Sequence, residues 1–192
     1  MPPKAKFSRE EIVTAAFELV KAQGAEKLTA RSLAQKLGSS PRPIFTVFSS
    51  MDEVFSEVKF AAKRLYESYE DEGMSKGNAF KGSGLGYVRF AANEPKLFQM
   101  LFMTEQSSVP DLNSVLGEID GYSEKILASV GEAFGFGMET SKEIYLHLWI
   151  YTHGIAVLLA TNVCKFSEEE VSLMLSEVCS SIIRKFKQEG RK

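Results

Sequence analysis

Apolar residues recur every three to four positions along most of this 192-residue chain, and alternation with a period of two is almost absent. In the first such stretch, Ile12, Ala16 and Leu19 share one helix face, because residues three and four apart are neighbours on a helix surface. Strands would instead alternate apolar and polar residues. The pattern predicts an all-α protein with about nine helices.

Capping signals give the helix boundaries near the N-terminus. Ser8 begins a capping box for the first helix, and Thr29 can cap the second. A third, short helix is predicted to start after Ser40, with Pro41 in its first turn, and to end near Phe48. These three helices are predicted to form an N-terminal helix-turn-helix domain.

A fourth helix is predicted from Met51 and is expected to end within Glu70–Gly73. We place the boundary between the N-terminal domain, residues 6–66, and a helical ligand-binding and dimerisation body, residues 67–192, along this helix. A capping box at Ser167 predicts that the last helix covers about 168–188.

The two parts differ in charge. Residues 1–50 contain eight Lys and Arg against four Glu, whereas the remaining residues contain 15 basic and 21 acidic side chains. A basic end on an acidic body is typical of a phosphate-binding module attached to a regulatory body. The only cysteines, Cys164 and Cys179, lie in apolar helical patterns and are too few for a disulfide framework. With no signal peptide visible, we expect a cytoplasmic protein.

The segment 29–48 contains two short amphipathic stretches joined by a turn at Gly38. This is the spacing of a DNA-binding helix-turn-helix, in which the second helix enters the major groove. At this point the chain resembles the TetR family of transcriptional regulators, from Phe7 to about Tyr66. The resemblance rests on the following residues: Gly24, Leu28-Thr29, Leu33-Ala34, Leu37-Gly38-Ser39-Ser40, Ile44-Phe45 and Phe48.

The resemblance implies an Ω-shaped homodimer with a variable ligand-binding body, which represses transcription until a small molecule binds. Two positions depart from the family pattern: Phe45 stands where Tyr is common, and Met51 stands where Lys is common. Both changes remove a phosphate contact. We therefore expect DNA contacts from these residues: Lys6, Thr29, Arg31, Ser40, Pro41, Arg42, Phe45 and Thr46.

The roles of two of these residues stay open. Arg42 can bind guanine through its guanidinium fork or can bind a phosphate. Phe45 can pack within the domain or can contact a thymine methyl group.

The body contains the pattern Trp149…His153-Gly154, which resembles the Trp-His-Gly C-terminal domain of one TetR subgroup. Trp149 and His153 lie on one helix face and line either a ligand cavity or an ordinary core. The full set of pocket candidates for a small hydrophobic effector is Phe90, Phe98, Phe102, Tyr122, Trp149 and His153.

A helix predicted at 141–164 is apolar nearly all round. Such a helix either spans a membrane or is buried, and its polar residues, including Thr152 and His153, favour burial. By the family resemblance, this helix and the one at 168–188 form the interface of a homodimer. A two-fold dimer would match a palindromic operator in double-stranded DNA.

The sequence gives little support for a phosphate-binding loop, a zinc site or a catalytic site. The run Gly82-Ser-Gly84-Leu-Gly86 resembles a phosphate-binding loop, but no strand precedes it. The two histidines and two cysteines have no zinc-site spacing, and no catalytic set can be argued, so we expect no cofactor, no metal and no enzymatic activity. Three hypotheses remain: a ligand-released repressor, a DNA-binding regulator without a small-molecule effector, and a helical protein whose helix-turn-helix no longer binds DNA.

Overall fold

The computed structural model describes residues 6–76, 79–105 and 123–191, and within these ranges it contains eight α-helices, two short 3-10 helices and no strand. The predicted all-α class is confirmed, whereas the count of about nine helices is not. The 3-10 helices cover Ala25–Lys27 and Ile44–Thr46. The α-helices are α1 (Arg9–Gln23), α2 (Ala30–Lys36), α3 (Met51–Ser75), α4 (Ala79–Asn93), α5 (Pro95–Phe102), α6 (Ser123–Phe134), α7 (Met138–Ala160) and α8 (Glu168–Gln188).

The chain divides into two compact units. The first consists of Met1–Tyr66 and Glu94–Thr104, and the second of Glu67–Asn93 and Glu105–Lys192. Helix α5 therefore belongs to the first unit, although its position in the chain placed it in the predicted body.

The first unit is built on the apolar face of α1. Ile12 and Ala16 are fully buried, and α1 contacts α2, the first 3-10 helix and α5. Leu97 and Phe98 of α5 are also completely buried. Lys21 Nζ binds the largely buried Glu94 Oε1 at 2.7 Å, which fixes the start of α5 against α1.

The predicted third α-helix is wrong. Only Ile44–Thr46 is helical, and as a 3-10 turn: the N–H groups of Ile44 and Thr46 bond the carbonyls of Pro41 and Pro43 three residues earlier. Two prolines remove two amide donors, and a residue before proline is disfavoured in the helical region. The following residues are β-branched or aromatic, which are weak helix formers. Residues 41–48 therefore form a tight turn rather than an α-helix.

The predicted end of the fourth helix within Glu70–Gly73 is also wrong, because α3 continues to Ser75. Gly73 lies where α3 crosses α4 and does not end the helix. A Cβ atom on Gly82 of α4 would collide with the carbonyl oxygen of Gly73, and one on Gly86 would lie 2.5 Å from that of Tyr69. Gly82 and Gly86, two of the three glycines that resembled a phosphate-binding loop, therefore allow the backbones of α3 and α4 to touch.

Helices α6, α7 and α8 complete the second unit. One core cluster joins Val130 of α6, Ile144 and Leu148 of α7, and Ile183 and Phe186 of α8. By length and composition alone, α7 is the one helix among the described residues that could cross a membrane, and one side of it packs in this cluster.

Candidate nucleic-acid interface

Helix α2 is held by a capping box at its start. The amide of Ser32 donates to Thr29 Oγ1 at 3.1 Å, and the amide of Thr29 donates to Ser32 Oγ at 3.0 Å. Leu33 and Ala34 are buried. The Thr29 hydroxyl, a predicted DNA contact, is thus already engaged in fixing the helix, while Arg31 lies exposed in the first turn.

The turn after α2 is fixed by backbone hydrogen bonds. Gly38 adopts a left-handed conformation with φ of 60°, which glycine reaches without strain, and the Ser39 amide donates to the Ala34 carbonyl at 2.9 Å. Lys6 Nζ donates to Ser39 Oγ at 3.1 Å. Lys6 therefore lies beside this turn.

The 3-10 turn that follows has an inner and an outer side. Ile44 is fully buried and Phe48 is 2% exposed, so both anchor the turn in the core. Phe45, by contrast, is 46% exposed. Thr46 is also exposed, and its hydroxyl donates to the Pro43 carbonyl at 2.6 Å.

All the predicted DNA-contact residues are exposed and belong to this one unit: Lys6, Thr29, Arg31, Ser40, Pro41, Arg42, Phe45 and Thr46. Within the part of the chain that the structure describes, neither the Arg31 nor the Arg42 side chain makes a hydrogen bond or an ion pair. Their guanidinium groups can therefore bind phosphate or a base edge without first breaking a protein contact.

Arg9 behaves differently from the other basic residues of this end. Its guanidinium binds Glu53 Oε1 at 2.8 Å and Glu57 Oε1 at 2.6 Å, and its Cζ lies 4.3 Å from the centroid of the Phe48 ring. Hydrogen bonds lower the pKa of Glu53 to about 2: the bond from the Ser49 amide has the largest effect, and the bond from Arg9 has the next largest. Arg9 therefore connects α1, the turn and α3. Sequence reasoning missed this role, since no local signal relates residues 44 positions apart.

The effector-pocket candidates fall into separate groups. In the second unit, Trp149 stacks on His153 with ring centroids 5.1 Å apart, and Tyr87 Oη lies 2.8 Å from His153 Nδ1. Burial lowers the pKa of His153, which favours the neutral ring. The sequence did not single out Tyr87, since its partner lies 66 residues away.

The remaining pocket candidates do not join this group. Phe90 packs edge-on against Tyr69. Phe98 and Phe102 lie in the first unit, where their ring centroids are 5.1 Å apart and Phe102 also contacts Tyr66. Tyr122 lies outside the described residues. Among those residues, no group of three or more side chains could hold a metal ion.

Among the described residues of the second unit, none covers one face of α7. Glu143, His147, Ile150, Gly154 and Leu158 follow one another at helical spacing and are all exposed, with Ile150 at 48%. Within the described ranges, a Cβ atom on Gly154 would meet nothing within 4 Å. This α7 stripe is therefore open to another chain, with a small residue at its centre.

Comparison with known proteins bears on the first unit. Residues 12–58 match the family model for bacterial regulatory proteins of the tetR family, which spans about a quarter of the chain. The resemblance of Trp149…Gly154 to the Trp-His-Gly subgroup stays a prediction, since it lies outside the match. No curated protein matches the chain significantly. The family match and the exposed basic helix-turn-helix support a DNA-binding transcriptional regulator of the TetR type.

Proposed function

We propose that the chain represses transcription by binding a palindromic operator as a homodimer, and that a small hydrophobic molecule releases it. The observation that carries DNA binding is the exposed pair Arg31 and Arg42 on a helix-turn-helix whose inner residues, Leu33 and Ile44, are fully buried. A rigid turn with exposed cationic forks suits the ordered negative charges of a duplex.

The contacts divide into two kinds. Lys6 and Arg31 are suited to phosphates, which fix the position of the protein on the duplex. Arg42 lies on the exposed side of the turn that follows α2, where it is suited to the guanine O6 and N7 acceptors. Thr29 acts mainly through the cap, since its hydroxyl already accepts the Ser32 amide.

The experiment begins with selection of bound duplexes from a random pool, followed by fluorescence-anisotropy titration of the selected duplex at two salt concentrations. We expect affinity that depends on sequence and falls steeply with salt. Arg42→Ala should weaken binding by roughly 10- to 100-fold. Arg64→Ala is the matched control, because Arg64 is exposed on α3 outside the helix-turn-helix. Binding without any sequence selection would contradict the proposal.

The same titration separates the two possible roles of Arg42. If Arg42 binds a guanine, the affinity lost in Arg42→Ala should depend on one base position in each half-site. If it binds a phosphate, the loss should be uniform across sequences, and the salt slope should decrease by about one.

The dimer proposal rests on the α7 stripe. Ile150 and Leu158 expose apolar surface on either side of Gly154, where a second helix could approach closely. A second copy in two-fold symmetry would cover the stripe with its own equivalent. The predicted partner helix α8 also exposes an apolar side chain, with Leu173 at 60%.

Gly154→Arg tests this interface, since the added side chain has space in one protomer but would obstruct a close helix crossing. We expect a dimer for the wild type and a monomer for the variant in sedimentation experiments. Ala133→Arg places the same side chain on an exposed position of α6 and should remain dimeric. A monomeric wild type at micromolar concentration would overturn the two-fold proposal.

Ligand release rests on the cluster of Tyr87, Trp149 and His153. The half-buried Trp149 ring, the buried Tyr87 and the neutral imidazole suit a hydrophobic molecule with a polar group. Because Trp149 is the single tryptophan, a compound that binds there and releases DNA should also change the fluorescence of the protein. Release without a fluorescence change would exclude Trp149 from the site. Failure of hydrophobic compounds to release DNA would favour a regulator without a small-molecule effector.

A further inference from the structure

Phe45 is the exposed aromatic residue of the 3-10 turn, with nearly half of its side chain open. Its neighbours Ile44 and Phe48 carry the packing of the turn and are almost completely buried, while Phe45 is 46% exposed. In the part of the chain that the structure describes, Phe45 makes no ring contact with another aromatic side chain. Nearly half of the apolar surface of Phe45 is therefore open to a partner.

The ring is presented on a constrained backbone. The Ile44 amide donates to the Pro41 carbonyl at 3.0 Å, and the Val47 and Phe48 amides both donate to the Ile44 carbonyl at 3.0 Å. The Thr46 hydroxyl adds a bond to the Pro43 carbonyl. Ordering of this turn is thus already achieved in the free protein, which lowers the entropic cost of a contact through Phe45.

A phenyl ring can use few features of a duplex. It has no donor for a phosphate oxygen or for the acceptors of guanine and adenine, whereas the C5-methyl group of thymine is an apolar feature of the major groove. Arg42, three residues earlier and exposed, supplies the charge that holds DNA at this surface. We infer that Phe45 contacts a thymine methyl group and makes the operator half-site selective for thymine at one position.

This inference rests on the proposed DNA binding and goes one step beyond it, to a single chemical group. The test uses the duplex selected by the wild-type protein and replaces each thymine in turn by deoxyuridine, which removes only the methyl group. One position per half-site should lose affinity about fourfold, the effect of one buried methyl-sized group. All other thymines serve as internal controls.

The second arm repeats the scan with Phe45→Ala. This variant should bind more weakly but should not distinguish thymine from deoxyuridine at the sensitive position. Its salt slope should equal that of the wild type, because no charge is lost, in contrast to Arg42→Ala if Arg42 binds phosphate. Since Phe45 is exposed, the melting temperature should change little. The deoxyuridine arm with wild-type protein is independent of how the variant folds.

Each possible result of the two thymine scans either supports or overturns the contact between Phe45 and a thymine methyl group. Methyl dependence at one position that disappears in Phe45→Ala supports the contact. Methyl dependence that persists in Phe45→Ala assigns the methyl group to another side chain, such as Thr46, and overturns the inference. Sequence-selective binding in which no thymine methyl group matters also overturns the inference, because Phe45 would then contact a sugar or lie between base steps. That result leaves the proposed function intact. Absence of any selected duplex overturns the proposed function, and the inference with it.

Discussion

The guanidinium of Arg9 lies over the ring of Phe48, with 4.3 Å between Cζ and the ring centroid, and its terminal nitrogens bind Glu53 and Glu57. Arg9 begins α1, Phe48 ends the turn that carries Phe45, and the two carboxylates belong to the first part of α3. One planar side chain therefore sets the position of the turn through three contacts at once.

Arg9→Lys should lower the melting temperature by a few degrees and weaken operator binding. Lysine keeps the charge but lacks the planar fork that binds two carboxylates while lying over a ring. Circular dichroism and the anisotropy titration measure the two effects. Arg64→Lys, the same exchange at an exposed position of α3, should change neither. Equal melting temperatures for both variants would show that the Arg9 contacts contribute nothing to stability.

Glu53→Gln should destabilise the protein near neutral pH, and the difference from the wild type should shrink in acid. The pKa of Glu53 is lowered from 4.5 to about 2, so its contribution to stability is complete above about pH 4.5 and disappears as the pH falls towards 2. Urea unfolding of both proteins at a series of pH values measures this difference. A difference that stays constant down to pH 2 would contradict the assignment.

Gly82→Ala should destabilise the second unit by about 1–3 kcal/mol or more, because its Cβ atom would collide with the Gly73 carbonyl and force α3 and α4 apart. Gly84→Ala is the matched control in the same helix. Its Cβ atom would meet Leu175 Cδ1 at an ordinary 3.6 Å, so we expect stabilisation of about 0.5–1 kcal/mol from the better helix former. Denaturant unfolding measures both changes, and similar effects of the two variants would argue against the close crossing.

The fluorescence of Trp149 should change with pH at a midpoint below 6.5, because Trp149 stacks on His153 and burial lowers the pKa of that ring. The unfolded chain then takes up a proton more readily than the folded one, so stability should decrease as the pH falls below 6.5. His153→Gln should abolish the fluorescence transition, whereas His147→Gln, at an exposed position on the same helix, should preserve it. A transition that survives His153→Gln would exclude this assignment.

Much of the candidate interface follows from the sequence because its signals are local. The capping boxes predicted at Ser8 and Ser167 are confirmed, since each involves residues three positions apart. The exposure of Arg31 follows from the helical spacing of the buried Leu33 and Ala34 in α2, and Arg42 lies exposed in the turn that follows. Their contacts with DNA stay predictions. The two prolines also favour the 3-10 turn locally. The helix-turn-helix pattern of residues 29–48 nevertheless predicts an α-helix there.

What the sequence by itself determined is therefore the helical class, the capped starts of α1, α2 and α8, and the basic N-terminal end, all of which depend on neighbours within a turn or two. Only the tertiary structure decided that Pro95–Phe102 packs on α1, that α3 runs on past Gly73, and that Arg9 is neutralised by Glu53. It also assigned Phe98 and Phe102 to the first unit, whereas Trp149 and His153 belong to the second. These outcomes depend on contacts between residues far apart in the chain, where burial and close backbone approach outweigh local preference.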